Sequence, residues 1–468
     1  MSDAVLVVGG GIGGLRAALD LAHAGARVVL VENKATVGGK LAALLEEGRT
    51  ALDLPEGAWL PTLAQVEASS QIEILTLSEV VALSGEPGEF AVTIRSRSRF
   101  VSDVCDHCSV CKQVCPVVRP NEYDAGLSFR KAIFSPLKSP VPSSFVIDID
   151  SCLNDPPNYI PCQRCVENCH VSAISFDTPL ERTITRDVGS VVLAAGFDLD
   201  GEKALVRFGY GKHPDVVTSL ELERLFAASG ATGGYVERPS DERDPERVLI
   251  AIADPTDFTW TYTARHAKRM LDQALEHVTI AYESPASSGK GPSSFLPGSV
   301  REKTRLVHAT VESVNPDSGG ALLVTMRDGR TGSVVSEAFD LVVVATAVQP
   351  PRSMPTVSDA LGVRLGPDGF VRTTEKDGAR VVTSRPGVYA CGCVTGPKNI
   401  HETLTEAAAA VEQAFQHARR GTRRAGPPKP ELEPSGNGIS EDALRQRMGQ
   451  VVETLISMGE KRLTNGNS

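Results

Sequence analysis

The chain has 468 residues, enough for two or three domains with separate cores. Its net charge of −10 and its 5% aromatic content argue against nucleic acid as a partner, since phosphates ask for a basic surface and bases for stacking platforms. The longest apolar runs fall far short of a membrane span. Met1–Asp3 leads straight into a strand pattern without a secretory signal, so a cytoplasmic protein is expected. Ten cysteines in such a chain read as metal ligands rather than disulfides.

Ala4–Val8 is a continuous apolar run, the pattern of a strand buried on both faces of a parallel sheet. Gly9-Gly10-Gly11-Ile12-Gly13-Gly14 follows, then Leu15, Ala18, Leu19 and Ala22 at helical spacing. Arg27–Val31 is a second strand pattern, closing on Glu32 and Asn33. Each piece suits a dinucleotide. Gly9 makes the tight turn, Gly11 admits a pyrophosphate, Gly14 lets the helix pack on the strand, and Ile12 and Gly13 begin the helix whose N-terminus faces the phosphates. Glu32 stands where a carboxylate accepts from the adenosine ribose. The following Val37-Gly38-Gly39-Lys40-Leu41 resembles the cofactor-lining segment of two-dinucleotide-binding flavoproteins, which selects FAD and adds Gly39, Lys40 and Leu41 to its site.

Cys105-x2-Cys108-x2-Cys111-x3-Cys115-Pro116 matches the bacterial two-cluster ferredoxin run in full. A second set, Cys152-x9-Cys162-x2-Cys165-x3-Cys169, keeps the last two intervals and stretches the first to nine residues. Because the fourth cysteine of such a run ligates the other cluster, Cys105, Cys108, Cys111 and Cys169 are expected to hold one [4Fe–4S] cluster and Cys115, Cys152, Cys162 and Cys165 the other. The nine-residue interval leaves the place of Cys152 conditional. Zinc is the competing ion for paired CxxC motifs, and eight cysteines around a CxxCxxCxxxCP core weigh against it. His170, where proline is usual, reads as a surface or hydrogen-bonding residue.

Val191–Gly196 and Leu341–Thr346 resemble the apolar strands, ending in small residues, that join flavin and pyridine-nucleotide domains, which assigns Ala195 and Gly196 to the cofactor. Pro386–Gly392 resembles a late flavin motif and adds Gly392 and Cys393; an alanine-rich helix over Glu406–Ala418 follows. The chain is therefore expected to leave the flavin domain and return to it. Arg247–Ile252 is a strand, but Ala253-Asp254-Pro255-Thr256 lacks the glycines that admit a pyrophosphate, and its proline removes an N–H. This second nucleotide domain is read as mainly structural or partner-facing, with an NAD(H) site as the alternative. A disulfide between Cys391 and Cys393 would strain a one-residue ring and is not expected.

The stretch from Cys115 through Ala132-Ile133-Phe134 to Ile147 resembles the inter-cluster linker of the heterodisulfide reductase A-subunit family. Gly396-Pro-Lys-Asn-Ile400 with His401-Glu402-Thr403 resembles that family's flavin-edge motif. The resemblance implies an α/β, thioredoxin-reductase-like two-dinucleotide-binding flavoprotein with an inserted α+β bacterial-type two-cluster ferredoxin module. It implies FAD and two [4Fe–4S] clusters, and electron transfer to partner subunits: heterodisulfide reductase B- and C-like subunits or other carriers. Lys398 becomes the candidate catalytic cation beside the flavin, with Ile400 next to the cofactor. The implied boundaries are 1–100 and 178–204 for the flavin domain's first parts, 101–177 for the ferredoxin insert, 205–347 for the degenerate nucleotide domain and 348–418 for the last flavin part.

This sequence departs from the methanogen type: Thr50–Leu63 and Asp254–Arg265 carry no cysteines, so electron bifurcation is not carried over. Disulfide chemistry is expected on a partner. The alternatives are a free-standing NAD(P)H-dependent flavin oxidoreductase and a wiring subunit that meets no soluble substrate. Residues 419–438 read as a linker. Residues 439–468 read as a docking helix with Leu444, Met448, Val451 and Leu455 on one face, against a partner or a second copy in a homo-oligomer.

Overall fold

The computed structural model describes residues 3–40, 60–154, 160–199, 205–376 and 379–422. Leu41, residues 423–438 of the expected linker and the expected helix of 439–468 lie outside them. Chain order begins with β1 (Ala4–Val8), α1 (Ile12–His23), β2 (Arg27–Val31), α2 (Leu60–Ala68) and β3 (Ile72–Leu75). The helix α1 stops because Gly25 takes a left-handed φ of +86°, letting Gly25 and Ala26 N–H reach back to Ala22 and Leu21 carbonyls at 2.9 and 3.0 Å. Next come β4 (Ser78–Glu86) and β5 (Glu89–Arg97).

The cysteine-bearing excursion follows, with α3 (Val110–Val114), β6 (Arg119–Pro120), β7 (Phe129–Arg130), β8 (Ile133–Phe134), β9 (Val146–Ile147) and α4 (Arg164–Glu167). The chain returns through β10 (Glu181–Val188), which pairs antiparallel with β5 from Glu181↔Arg97 to Val188↔Phe90. The excursion thus leaves and re-enters between two paired strands. Its base is closed by a Val101↔Ile174 bridge and by the Ser102 N–H to Ala173 carbonyl bond at 2.8 Å.

After β11 (Ser190–Leu193) and β12 (Asp198–Leu199) come β13 (Val216–Thr218), α5 (Ser219–Leu225), β14 (Arg247–Ile252), α6 (Asp257–Asp272), β15 (His277–Tyr282), β16 (Thr304–Pro316), β17 (Leu322–Asp328), β18 (Val334–Phe339) and β19 (Leu341–Ala345). The chain then crosses back through β20 (Val348–Gln349), α7 (Met354–Leu361), β21 (Thr373–Lys376), β22 (Ala379–Thr383), β23 (Val388–Ala390) and α8 (Ile400–Thr422). The helix α8 runs from Ile400, earlier than its alanine pattern predicts, and past Ala418 into the expected linker.

Two seven-stranded sheets result, ordered β21-β22-β23-β11-β1-β2-β3 and β13-β19-β14-β15-β16-β17-β18. The first joins both ends of the sequence and the second takes its middle, the two-dinucleotide-domain arrangement expected from the strand pattern. In the first sheet β23, β11, β1, β2 and β3 run parallel, and β1 and β11 are buried throughout. Parallel strands need cover on both faces. Val5 and Val7 pack with Leu15, Ala18 and the Ala407–Ala410–Ala414 stripe, so α1 and α8 cover one face. Leu6 and Val8 pack with Phe90, Ile94, Met354 and Leu361 from β5 and α7 on the other. Truncating a fully buried residue such as Leu6 to Ala would cost about 2–5 kcal/mol.

Candidate functional site

The carboxyl ends of β1, β2, β11 and β23 bring four loops to one edge of the first sheet. The strand order reverses between β11 and β2 about β1, the position where open α/β sheets hold ligands. Gly9 has φ +105°, and a Cβ there would lie 2.3 Å from the Ala194 carbonyl oxygen. At Gly14 a Cβ would lie 1.8 Å from the Gly9 carbonyl oxygen, so α1 packs directly on the turn. At Gly11 a Cβ would meet nothing within 4 Å. That open side, and a helix start at Gly11 with no side-chain cap, leave the first-turn N–H groups of α1 to a phosphate.

Glu32 is 7% exposed. Its carboxylate accepts from Gly10 N–H at 2.6 Å and Lys34 N–H at 2.8 Å, while burial pushes its pKa up from the ordinary carboxylate value. Asn33 beside it is exposed. Gly39 folds back so that its Cβ position lies 2.9 Å from Gly11 Cα, next to the Ile12–Gly13 start of α1. Lys40 donates to the Phe197 carbonyl and stands 3.5 Å from Asp198; burial lowers its pKa, partly offset by that aspartate. Ala195 and Gly196, the latter at φ +75°, follow β11 on the same edge.

Gly392 follows β23, also at φ +75°, and its N–H goes to the Glu406 carboxylate at 2.8 Å. Cys393 Sγ lies 3.5 Å from the Lys398 carbonyl oxygen, and Cys391 and Cys393 are free thiols. Lys398 Nζ donates to Thr395 Oγ1 at 2.7 Å and stands 3.4 Å from Glu406. Ile400 opens α8 and packs on the sheet core, and the methyl of Thr403 closes on both the Gly13 and Gly392 Cβ positions, at 3.2 and 3.0 Å. Every described residue assigned to the cofactor from sequence therefore belongs to loops or helix starts along this edge.

The eight cysteines of the excursion divide between two pockets. One is lined by Cys105, Cys108, Cys111 and Cys169, the other by Cys115, Cys152, Cys162 and Cys165. The backbone wraps the first pocket by placing His107 and Ser109 at φ +61° and +66°, a cost that the Cys105–Cys111 spacing imposes on non-glycine residues. Asn154 draws together the ends of the nine-residue interval: its amide donates to the Cys162 carbonyl at 2.7 Å and its carbonyl accepts from Cys162 N–H at 3.0 Å. Ala173 N–H points at Cys169 Sγ from 3.3 Å. Burial, with neighbouring thiols adding, pushes Cys111 up to about 12 and Cys165 up to about 11. Four crowded sulfurs in each pocket resist ionising together without a cation, and a bound metal would reverse that balance. His170 is exposed and pairs with Asp106 at 2.8 Å.

The second pocket lies against the flavin-type loop. Ile133 and Ile147 line it, while their neighbours Phe134 and Val146, on the opposite face of the β8–β9 pair, pack on Ala35. Val37 N–H donates to the Val141 carbonyl at 2.9 Å, and Val141 N–H to Thr36 Oγ1 at 2.9 Å. Arg99, whose pKa burial lowers to about 10, ties Ser144 and Ala35 carbonyls together.

The second sheet offers a different edge. Thr256 caps α6 through Thr259 N–H at 3.1 Å, and Asp257 in the first turn accepts from Ser288 N–H at 3.1 Å. Hydrogen bonds from Ser288 hold that carboxyl below its ordinary value, and Ser287 N–H closes on the Pro255 carbonyl at 2.9 Å. A fixed carboxylate at a helix N-terminus repels phosphate.

Sequence reading missed Glu406, Asn154 and Asp198. Glu406 interrupts the buried Thr403–Ala407–Ala410 stripe of α8, which is a legible signal; Asn154 and Asp198 find partners set only by the fold.

A family model described as FAD dependent oxidoreductase matches residues 4–64. The chain is 33% identical over 429 residues to the second iron-sulfur A-subunit of CoB–CoM heterodisulfide reductase of Methanopyrus kandleri, covering 88% of this chain and 64% of that protein. It is 32% identical over 428 residues to the corresponding iron-sulfur A-subunit of Methanocaldococcus jannaschii, covering 87% and 63%. Thioredoxin reductase of T. acidophilum aligns with a TM-score of 0.48 at 17% identity, over 90% of this chain and 98% of that one. The chain spans a little under two thirds of the length of the curated relatives it matches. Over about 88% of its own length the chain is similar to heterodisulfide reductase A-subunits.

Proposed function

We propose that this chain is an oxidoreductase subunit that holds FAD along the β1–β11–β23 edge and two [4Fe–4S] clusters in the two cysteine pockets, passing electrons between flavin and partner subunits of a heterodisulfide-reductase-like complex. The observation that carries the reading is the division of eight thiols into two sets of four, one of which shares the β8–β9 ribbon with the flavin-type loop. When bound, FAD exchanges electrons in pairs or singly and the clusters exchange them singly. The chain's own residues do the rest. Gly11 and the α1 N-terminus would bind the diphosphate, Glu32 would accept from the ribose, and Lys398 would present a cation to the flavin. Ala173 N–H points at a cluster sulfur position and would stabilise its negative charge. Thiol-rich pockets of this kind fit a compartment that keeps cysteines reduced. The relatives are named as A-subunits, which supports partner subunits as the next carriers; B- and C-like subunits, with the disulfide chemistry on one of them, are the partners this reading proposes.

Anaerobically purified protein is expected to carry one FAD and about eight irons per chain. Cys152→Ser should lose about four irons while keeping the flavin. NADH should leave the flavin oxidised. Iron near one per chain, or rapid bleaching by NADH, would overturn the reading in favour of zinc-type sites or a free-standing NAD(P)H oxidoreductase respectively.

A further inference from the structure

We infer that Glu406 is a positioning residue of the flavin crevice, fixing the Lys398 ammonium and the Gly392 amide to each other and setting the charge a bound flavin meets there. The inference rests on the FAD reading above. Four groups form a closed ring. Gly392 N–H donates to Glu406 Oε2 at 2.8 Å, and Glu406 Oε1 stands 3.4 Å from Lys398 Nζ. Lys398 donates to Thr395 Oγ1 at 2.7 Å, and Thr395 donates to the Gly392 carbonyl at 3.0 Å. Both charged side chains are only 17% exposed, so their attraction is weakly screened and neither is free to swing into water.

The ring sits on the edge already described. Its first residue follows β23, and the Thr403 methyl one helical turn before Glu406 touches the Cβ positions of both Gly392 and Gly13. The glycine turn of α1 and the Lys398 loop are therefore parts of one crevice. Helix α8 elsewhere turns small residues toward the sheet, and Ala407, Ala410 and Ala414 are fully buried. A carboxylate at position 406 works against burial, which raises its pKa above the ordinary value despite the lysine and the Gly392 amide. An amide donor alone needs no charge; a hydroxyl or side-chain amide would satisfy it. The carboxylate's extra effect falls on Lys398.

An isolated ammonium beside a flavin favours the reduced, negatively charged form and raises its potential. A carboxylate paired to that ammonium cancels much of the field and holds it in place. Glu406 therefore lowers the flavin potential relative to lysine alone.

The test is a dye-coupled potentiometric titration of the flavin in the full-length protein, followed at flavin absorption wavelengths. Glu406→Gln keeps an acceptor for Gly392 N–H and removes the charge. Its equilibrium constant for two-electron reduction should rise about tenfold, a shift of about 30 mV upward. Lys398→Met should move it the opposite way. Glu406→Asp, which keeps the charge, should stay nearer the wild type than Glu406→Gln. Flavin bound in Glu406→Gln with a potential unchanged within about twofold, or shifts of the same sign in Glu406→Gln and Lys398→Met, would overturn the inference and leave the FAD reading standing. Should Glu406→Gln not retain flavin, the Glu406→Asp and Lys398→Met pair decides: an aspartate variant shifted as far as the lysine variant, in the same direction, sinks the idea. Wild-type protein that takes up no flavin overturns the FAD reading itself.

Discussion

After β1 the chain turns through Gly9–Gly11 into α1; after β14 it turns through Ala253–Thr256 into α6. Both turns leave a buried parallel strand, and both sheets place an acid just past the next strand, Glu32 after β2 and Glu283 after β15. The local chemistry then diverges. At the first turn the helix start carries no side-chain cap and the Gly11 Cβ direction is empty of protein. At the second, Thr256 caps the helix, Asp257 fills its first turn, and the Ser287–Ser288 loop closes over both. Glu32 grips the glycine turn, whereas Glu283 is spent on Arg207 at 3.2 Å. One architecture supports both outcomes, so a nucleotide site is a property of the turn and not of the strand–helix unit around it.

The largest test of that comparison separates folding from binding within one glycine run. Gly14→Ala puts a Cβ 1.8 Å from a backbone oxygen that cannot move without opening the turn, so a loss above about 4 kcal/mol or failure to fold is expected. Gly11→Ala meets no protein atom within 4 Å and should cost about 1 kcal/mol or less, yet the protein should purify without flavin. Thermal unfolding of the apoprotein and flavin content by absorbance read the two effects. A Gly11→Ala protein that keeps its flavin would break the contrast.

If the second unit holds no nucleotide, it still has a structural duty. Arg224 of α5 and Asp124 of the inter-cluster linker form a 2.8 Å ion pair with both side chains 5% exposed, and Leu127 packs on the second unit's core. Asp124→Ala leaves the arginine buried without its carboxylate and should cost about 3–5 kcal/mol. Hydrogen exchange should show the 121–128 segment opening first, and iron content should fall before flavin content.

Thr256→Ala removes the cap of α6 and should cost about 1 kcal/mol. Because Asp257 and the Ser287 loop remain, isothermal titration should still show no NADH binding. Acquired binding would mean that the cap alone closes the second turn.

What could be read from the sequence was what is local. The first strand, its glycines and its helix lie within twenty residues, and each glycine's duty follows from its place in the run. The Cys105–Cys115 spacing is equally local. Cys152 was grouped with Cys115, Cys162 and Cys165 only conditionally, because nine intervening residues give no distance; Asn154 draws the ends together by bonding both the N–H and the carbonyl of Cys162. Arg224–Asp124 joins positions a hundred residues apart, and Glu406–Gly392 joins a helix face to a strand end. The first pair has no periodicity to betray it; in the second, the break in the helix stripe marks Glu406 but not its Gly392 partner. The closure of the second turn was half legible: Pro255 and the missing glycines were visible, but the Ser287 loop that covers them comes from after the next strand.

The smallest effect expected is a slope. Burial raises the Glu32 pKa in the folded apoprotein, so the folded state holds its proton to a higher pH than the unfolded chain does. Folded-state stability from this group is therefore full below the ordinary carboxylate range and declines as pH rises from there through the raised value. Glu32→Gln cannot titrate. It loses the acceptor for one of the two N–H groups, Gly10 or Lys34, and so is offset downward by about 1 kcal/mol at low pH, but it should lack the decline. Denaturant melts of the two apoproteins across the mildly acidic range should thus converge as pH rises. The second turn has no such slope to lose, because the Asp257 carboxyl is held low by Ser288 and gains stability in the opposite direction, as pH rises through its depressed value. Parallel curves for wild type and Glu32→Gln would mean that the hydrogen bonds from Gly10 and Lys34 balance burial, and curves that diverge as pH rises would mean that they outweigh it.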